Sequence, residues 1–212
     1  MKIGGLQRFS LIDYPGKVSA VIFTQGCNFR CPFCHNPQLV IPRKFEPALS
    51  HEMIFSFLRK RKNQLQGIVI TGGEPTCHDD LLDFVVRIKK MGFLVKLDTN
   101  GSNPLILSAL LSRKLIDYVA MDIKAPLHKY ESLAGVAIHL EDIRKSIDLL
   151  MTSGIDYNFR TTVVPGLLDE KDLLDISILI KGSKHYVRQE FVGSENILDP
   201  RIRVTNSQEK SV

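Results

Sequence analysis

Six short apolar runs alternate along the chain with stretches whose apolar residues recur every three to four positions. The runs at 18–24 (VSAVIFT), 68–71 (IVIT), 93–97, 118–123, 157–164 and 185–192 read as strands. Between them, 50–62 reads as a helix with Ser50 as N-cap and Met53, Ile54, Phe57 and Leu58 on one face. A second helix spans 79–91, with Leu81, Leu82, Val85 and Ile88 inward and Gly92 as its stop. Asn103 and Pro104 open a third in the favoured N-cap, N1 order. The stretches 141–151, stopped by Gly154, and 169–180, stopped by Gly182, complete the set. Strands each separated by a helix imply a parallel sheet, because a parallel pair needs a long crossover. Two closures fit the periodicity: an open doubly wound sheet or a partial (β/α) barrel. No internal repeat or low-complexity segment interrupts the pattern. One domain is expected over 1–193, followed by a polar, loosely held tail at 194–212.

Composition narrows the partners more than the fold. With 212 residues, 44% hydrophobic and 24% charged, the chain can bury one sizeable core. The net charge of +5 is spread thinly. Its densest run, RKRK from Arg59 to Lys62, falls at a predicted helix end, where cations favour the dipole. No aromatic residues interleave those charges, so no nucleic-acid partner is expected. The N-terminus lacks the apolar core of a signal peptide, and no run approaches the ~20 apolar residues of a membrane helix. The expectation is a cytoplasmic protein without membrane contact. There thiols stay reduced, and clustered cysteines bind metal or act chemically.

The unusual polar stretches follow the strands. TQGC comes after the first, TGGEP after the second and DTNG after the third; DIK ends the fourth. Arg160 lies in the fifth and Gln189 in the sixth. In parallel α/β architectures the carboxyl ends of the strands share one mouth, so these segments are expected to converge. The densest chemistry is TQGCNFRCPFCHN, where Cys27, Cys31 and Cys34 stand in C-x3-C-x2-C spacing. A structural zinc wants four ligands, typically in two separated pairs. Only Cys77 remains, and His35 adjoins Cys34 awkwardly. An iron–sulfur cube also normally takes four cysteines. Three thiolates leave one iron open, as a catalytic metal requires, for a substrate or cofactor. Cys77 reads as a small buried residue, with a redox or ligand role as the alternative.

CNFRCPFC resembles the C-x3-C-x-aromatic-C signature of the radical S-adenosylmethionine enzymes, and TGGEP resembles their second motif. LIDYPG upstream, CHN after the third cysteine, DTNG and DIK resemble the glycyl-radical-enzyme activases. From MKIGGLQRFSLIDYPGKVSAVIFTQGC to FRTTVVPGLL the chain is most similar to the activating proteins of anaerobic ribonucleoside-triphosphate reductase. The resemblance covers 1 to about 192 and implies an α/β fold, a partial (β/α)6 barrel with helices outside. It implies a [4Fe-4S] cluster on Cys27, Cys31 and Cys34, with S-adenosylmethionine chelating the open iron through its amino and carboxylate groups. One electron then breaks the S–C5′ bond, and the 5′-deoxyadenosyl radical takes a hydrogen atom from a glycine Cα of a partner. The implied partners are a glycyl-radical enzyme and an electron donor such as flavodoxin or ferredoxin. The alternatives are an activase of the formate-lyase type and a small-molecule enzyme such as one of deazapurine synthesis. A zinc-stabilised or electron-carrying module is a further alternative, and leaves TGGEP, DTNG and DIK without a task.

The same resemblance suggests individual roles. Gly72 and Gly73 allow close backbone approach to a ligand, and Glu74 accepts from the cofactor ammonium. Lys124 holds the methionine carboxylate, and Asp122 the amino end or a neighbouring cation. Some activases form a monovalent-cation site from aspartates that correspond to Asp98 and Asp122; the alternative is a salt bridge in the mouth. Asn100 touches the ribose or shapes the DTNG turn. Phe33 shields the cluster or packs on adenine, with ordinary core packing as the competing reading. His35 and Asn36 touch adenine or ribose, and for His35 a satisfied loop histidine is the alternative. Arg160 pairs with Asp122 or with the cofactor carboxylate. Gln189 stands in the stretch YVRQEFVG, where formate-lyase activases carry a cofactor-contacting histidine. With only Cys77 left over, no second cluster is expected.

Overall fold

The computed structural model describes residues 1–194 and 196–202. The six expected strands are β2 Ser19–Thr24, β3 Gly67–Gly72, β4 Leu94–Thr99, β5 Tyr118–Asp122, β6 Asp156–Val163 and β7 Tyr186–Glu190. All are parallel and lie in sequence order. A doubly wound sheet reverses its order at a switch point, whereas barrel strands follow one another. The order therefore selects the barrel-type winding. Among the described residues β7 does not pair back to the first strands, so the barrel is open.

A seventh strand went unpredicted. Ile3–Ser10 forms β1, antiparallel to β2. The helices are α1 Pro37–Val40, α2 His51–Lys60, α3 Leu81–Lys90, α4 Pro104–Ser112, α5 Tyr130–Ala134, α6 Leu140–Thr152 and α7 Glu170–Leu179. Ser50 caps α2 by accepting from the Met53 N–H at 3.1 Å, and Asn103 caps α4 by accepting from Ile106 at 3.3 Å. Asp169 and Asp172 form a reciprocal capping box on α7. On α2 the buried face is Ile54, Phe55 and Leu58, while Met53, expected inward, is 44% exposed. No described helix is long and apolar enough to cross a membrane.

Alternation along the strands separates two interiors. Ala20, Ile22, Ile68, Ile70, Val95 and Leu97 belong to the main core beneath the helices. Val21 and Val69 point the other way, into a smaller cluster with Tyr14. Tyr14 comes from LIDYPG and plugs the amino-terminal end of the lumen. Its ring lies 6.0 Å from that of Tyr118, and a Cβ on Gly67 would stand 2.7 Å from it. The floor of the lumen is thus apolar, and the polar residues sit at the carboxyl ends of the strands.

The segment after β7 differs from the loosely held tail expected. Ile197 is buried, and Leu198 and Asp199 donate their N–H groups to Cys34 O (3.0 Å) and Pro32 O (2.9 Å). The rest of that expected tail, 203–212, lies outside the described residues.

Candidate active site

Cys27, Cys31 and Cys34 occupy the loop between β2 and α1. They line a cavity of ≈ 280 Å³ at the carboxyl ends of the strands. Every residue singled out in the sequence borders the same cavity: Phe33, His35 and Asn36 from the cysteine loop, Gly72, Gly73 and Glu74 after β3, and Asp98 and Asn100 at β4. Asp122 and Lys124 at β5, Arg160 on β6 and Gln189 on β7 complete it. Cys77 does not; it is exposed, against the expectation of a small buried residue.

Burial pushes the Cys27 thiol up to about 12 and that of Cys31 up to about 11. The nearby Lys124 ammonium acts against this rise at both thiols. Among the described residues no three His, Cys, Asp or Glu side chains converge on a point that would hold one metal ion. A cube takes one thiolate per iron, so its ligands surround the cluster rather than meet at one point. Three thiols around one cavity, with a cation beside them, fit that group and do not fit a lone zinc.

Two loops are pressed together to build the wall opposite. Gly73 N–H donates to Thr24 O at 2.9 Å and Glu74 N–H to Gly26 O at 2.8 Å. A Cβ on Gly73 would lie 2.6 Å from Gly26 C, and one on Gly72 would lie 2.6 Å from Thr24 O. The glycine pair therefore serves close approach of TGGEP to TQGC, where close approach of a ligand was expected. Gly72 also sits at φ 114°, in the left-handed region.

Glu74 is 1% exposed. Its Oε1 accepts from Thr76 N–H (3.1 Å), Thr76 Oγ1 (2.6 Å) and Thr99 Oγ1 (2.7 Å), and its Oε2 from Asn100 N–H (2.6 Å). Burial raises its pKa against these four donors. The carboxylate is thus a tie between TGGEP and DTNG, and Oε2 is the atom with room for another donor. Asn100 shapes its turn, its Oδ1 accepting from Ser102 N–H at 2.9 Å. Its Nδ2 donates to Asn28 Oδ1 at 2.9 Å, tying DTNG to the cysteine loop.

A chain of charges crosses three strands. Lys96 Nζ meets Asp98 Oδ1 at 2.6 Å, and Arg160 donates from Nη1 to Asp98 Oδ2 (3.3 Å) and from Nε to Asp122 Oδ1 (2.8 Å). Lys124 Nζ closes it on Asp122 Oδ2 at 3.0 Å. Burial works against the Asp122 charge, yet Arg160 and Lys124 hold its pKa down at about 2. Asp98 and Asp122 are bridged by the Arg160 guanidinium. His35 lines the cavity, its Nε2 lies 2.7 Å from Val192 O, and its ring is 5.0 Å from Phe191.

The pattern of the Radical SAM superfamily matches residues 21–176. The chain belongs to the radical SAM superfamily. Among its relatives is a Methanocaldococcus jannaschii protein assigned as a glycyl-radical enzyme activating enzyme, 40% identical over 89% of this chain and 79% of its own length. The pyruvate formate-lyase-activating enzyme of Clostridium pasteurianum is 26% identical over 90% of this chain and 81% of its own. SuiB of Streptococcus suis bound to S-adenosylmethionine superposes with a TM-score of 0.68 at 16% identity, over 84% of this chain and 42% of SuiB. That likeness shows the shared partial-barrel fold. The chain is a radical SAM enzyme of the glycyl-radical activating kind, which implies a [4Fe-4S] cluster and S-adenosylmethionine as its cofactors.

Several residues that build this radical SAM site escaped the sequence. Arg30 Nη1 donates to Cys27 O (2.6 Å) and Phe29 O (2.7 Å), bracing the cysteine loop from within. Thr76 and Thr99 supply hydroxyls to Glu74. Lys96 is buried in the apolar run FLVKL, two positions before Asp98 and so on the same strand face. That spacing was the available signal.

Proposed function

We propose that the chain activates anaerobic ribonucleoside-triphosphate reductase by generating a glycyl radical on it. Cys27, Cys31 and Cys34 would hold the cluster, and S-adenosylmethionine would take the position that three thiols leave open. When bound, this pair supplies a 5′-deoxyadenosyl radical that removes a hydrogen atom from a glycine of the partner. The chain's own residues bind and orient. Lys124 would receive the methionine carboxylate while Asp122, itself paired with Arg160, holds Lys124 in place. Glu74 Oε2 and the backbone of 72–73 face the amino group. Phe33 and Asn36 flank the adenosyl end, and Gln189 stands at the open edge. Flavodoxin or ferredoxin supplies the electron. The observation that carries the reading is the cavity shared by three thiols, Lys124 and the TGGEP wall.

The test is anaerobic reconstitution with iron and sulfide, then dithionite and S-adenosylmethionine. The wild type is expected to release 5′-deoxyadenosine and Cys34→Ala none. The activated reductase should then show a glycyl-radical spin-resonance signal. A second reading, activation of a formate-lyase-type enzyme, is favoured by the pyruvate formate-lyase-activating relatives from Clostridium pasteurianum and Streptococcus mutans. A signal on that partner and none on the reductase would replace the first reading with the second.

A further inference from the structure

The sheet is open, yet the segment after β7 is joined to the cysteine loop after β2 at the mouth by main-chain hydrogen bonds. Beyond β7, Phe191 N–H extends the ladder to Val163 O at 3.2 Å, and its buried ring packs against His35. Val192 O receives the His35 Nε2 proton at 2.7 Å, which fixes that ring nitrogen as the donor. After the chain turns, Ile197 is buried again, Leu198 N–H donates to Cys34 O at 3.0 Å and Asp199 N–H to Pro32 O at 2.9 Å. The Ile202 N–H donates to Asp199 O at 3.1 Å, and Arg201 forks onto the Asp199 carboxylate. Apart from the Phe191 bond to β6, the hydrogen bonds that tie this segment down land on residues 32–35, the half of the loop that carries Cys34.

The other half is held from elsewhere. Arg30 N–H donates to Ala134 O at 2.7 Å, and Asn28 joins Asn100 and Ser102. Within its own half, the bond that holds Cys34 among the described residues is the short-range one of its N–H to Cys31 O at 3.0 Å. A turn closed by one such bond orders little chain on its own.

We propose that the described residues of the segment after β7, 191–194 and 196–202, form a positioning strap for the cluster-binding loop. The strap sets the third thiol relative to Cys27 and Cys31 and covers that flank of the cluster. Its function rests on the cluster reading above; its geometry does not. Because the contacts are mostly backbone, no motif marks the segment; Phe191 and Ile197 anchor it by burial, and Ile202 packs partly buried against the same core.

Three variants of the full protein test this: a chain ending at Gly193, Leu198→Pro, which deletes the N–H, and Leu198→Ala, which keeps it. Amide hydrogen exchange on the apo protein reads the geometry. Ending the chain, or Leu198→Pro, should speed exchange at 33–36 by about tenfold while β3 to β5 stay protected, and Leu198→Ala should match the wild type. In the reconstituted protein the same two variants should lose cluster absorbance in air several times faster. Their reduced-cluster spin-resonance spectrum should also broaden, because Cys34 is no longer held in one position. Unchanged exchange at 33–36, or equal acceleration in every strand, overturns the strap. Faster exchange with an unchanged cluster lifetime and spectrum overturns its role toward the cluster. A wild type that binds no iron overturns the cluster reading instead.

Discussion

Burial keeps two of the three loop thiols protonated until a metal arrives. A thiol raised from its ordinary 9.0 to about 12, as at Cys27, has about a thousandfold less thiolate at pH 8, and thiolate is the reactive form. Iodoacetamide at pH 8 should therefore spare Cys27 and Cys31 in the native apo protein and label both in denaturant, with native labelling rising as pH climbs past 10. Peptide mass spectrometry reads each site, and rapid native labelling of Cys27 at pH 8 would contradict the desolvation that raises its thiol. Glu74 makes a second single-residue case. Its two oxygens serve four donors, and Glu74→Gln turns one acceptor into an NH2 that faces them. Leaving a buried donor unpaired costs about 1–3 kcal/mol. For a chain of this size that is a fall of about 2–12 °C in the thermal midpoint. An unchanged midpoint would mean that the threonines and Asn100 do not depend on the carboxylate.

At the level of elements, what could be read depended on which atoms made the contact. The six parallel strands were legible because each is an apolar run, and Ser50, Asn103 and Asp169 marked helix starts through side chains that cap. β1 was not, because IGGLQRFS carries two glycines and a polar half, and an edge strand open on one side needs no apolar alternation. α5 was missed for its length of five residues, yet it positions the site. It ends at Gly135, at φ 70°, and a Cβ there would lie 2.8 Å from Arg30 C. The helix end and the cysteine loop touch backbone to backbone, which no side-chain pattern records. Gly135→Ala should therefore cost the left-handed strain of about 1 kcal/mol and also push the loop away, lowering iron bound on reconstitution. Gly154 at φ 76° has open space around it, so Gly154→Ala carries the strain without the push. It should lose a similar increment of stability and keep its iron. Equal iron content in both variants would separate α5 from the cluster site.

At the scale of the whole molecule, an open barrel has to hold its strand ends together without a closed ladder. Three of them are joined by the ion chain Lys96–Asp98–Arg160–Asp122–Lys124, which lies above the apolar plug made by Tyr14. Asp98, Asp122 and Arg160 were legible from their positions at strand ends, but the order in which they pair was not. Register settles it, since Arg160 stands directly opposite Asp122 across β5 and β6. Arg160 bridges the two aspartates, so Arg160→Met leaves both of them short of a partner. Breaking a partly buried pair from one side costs up to about 3–5 kcal/mol, and the lower end applies where some solvent reaches the charges. Removing the Asp98 charge as well relieves part of that burden. In urea unfolding, Asp98→Asn with Arg160→Met should therefore lose less stability than the two single changes summed, by about 0.5–3 kcal/mol. Arg160→Lys should fall between wild type and Arg160→Met, because a point charge cannot span both carboxylates. Strict additivity would mean that Arg160 acts on Asp122 alone and that the ion chain does not couple β4 to β6.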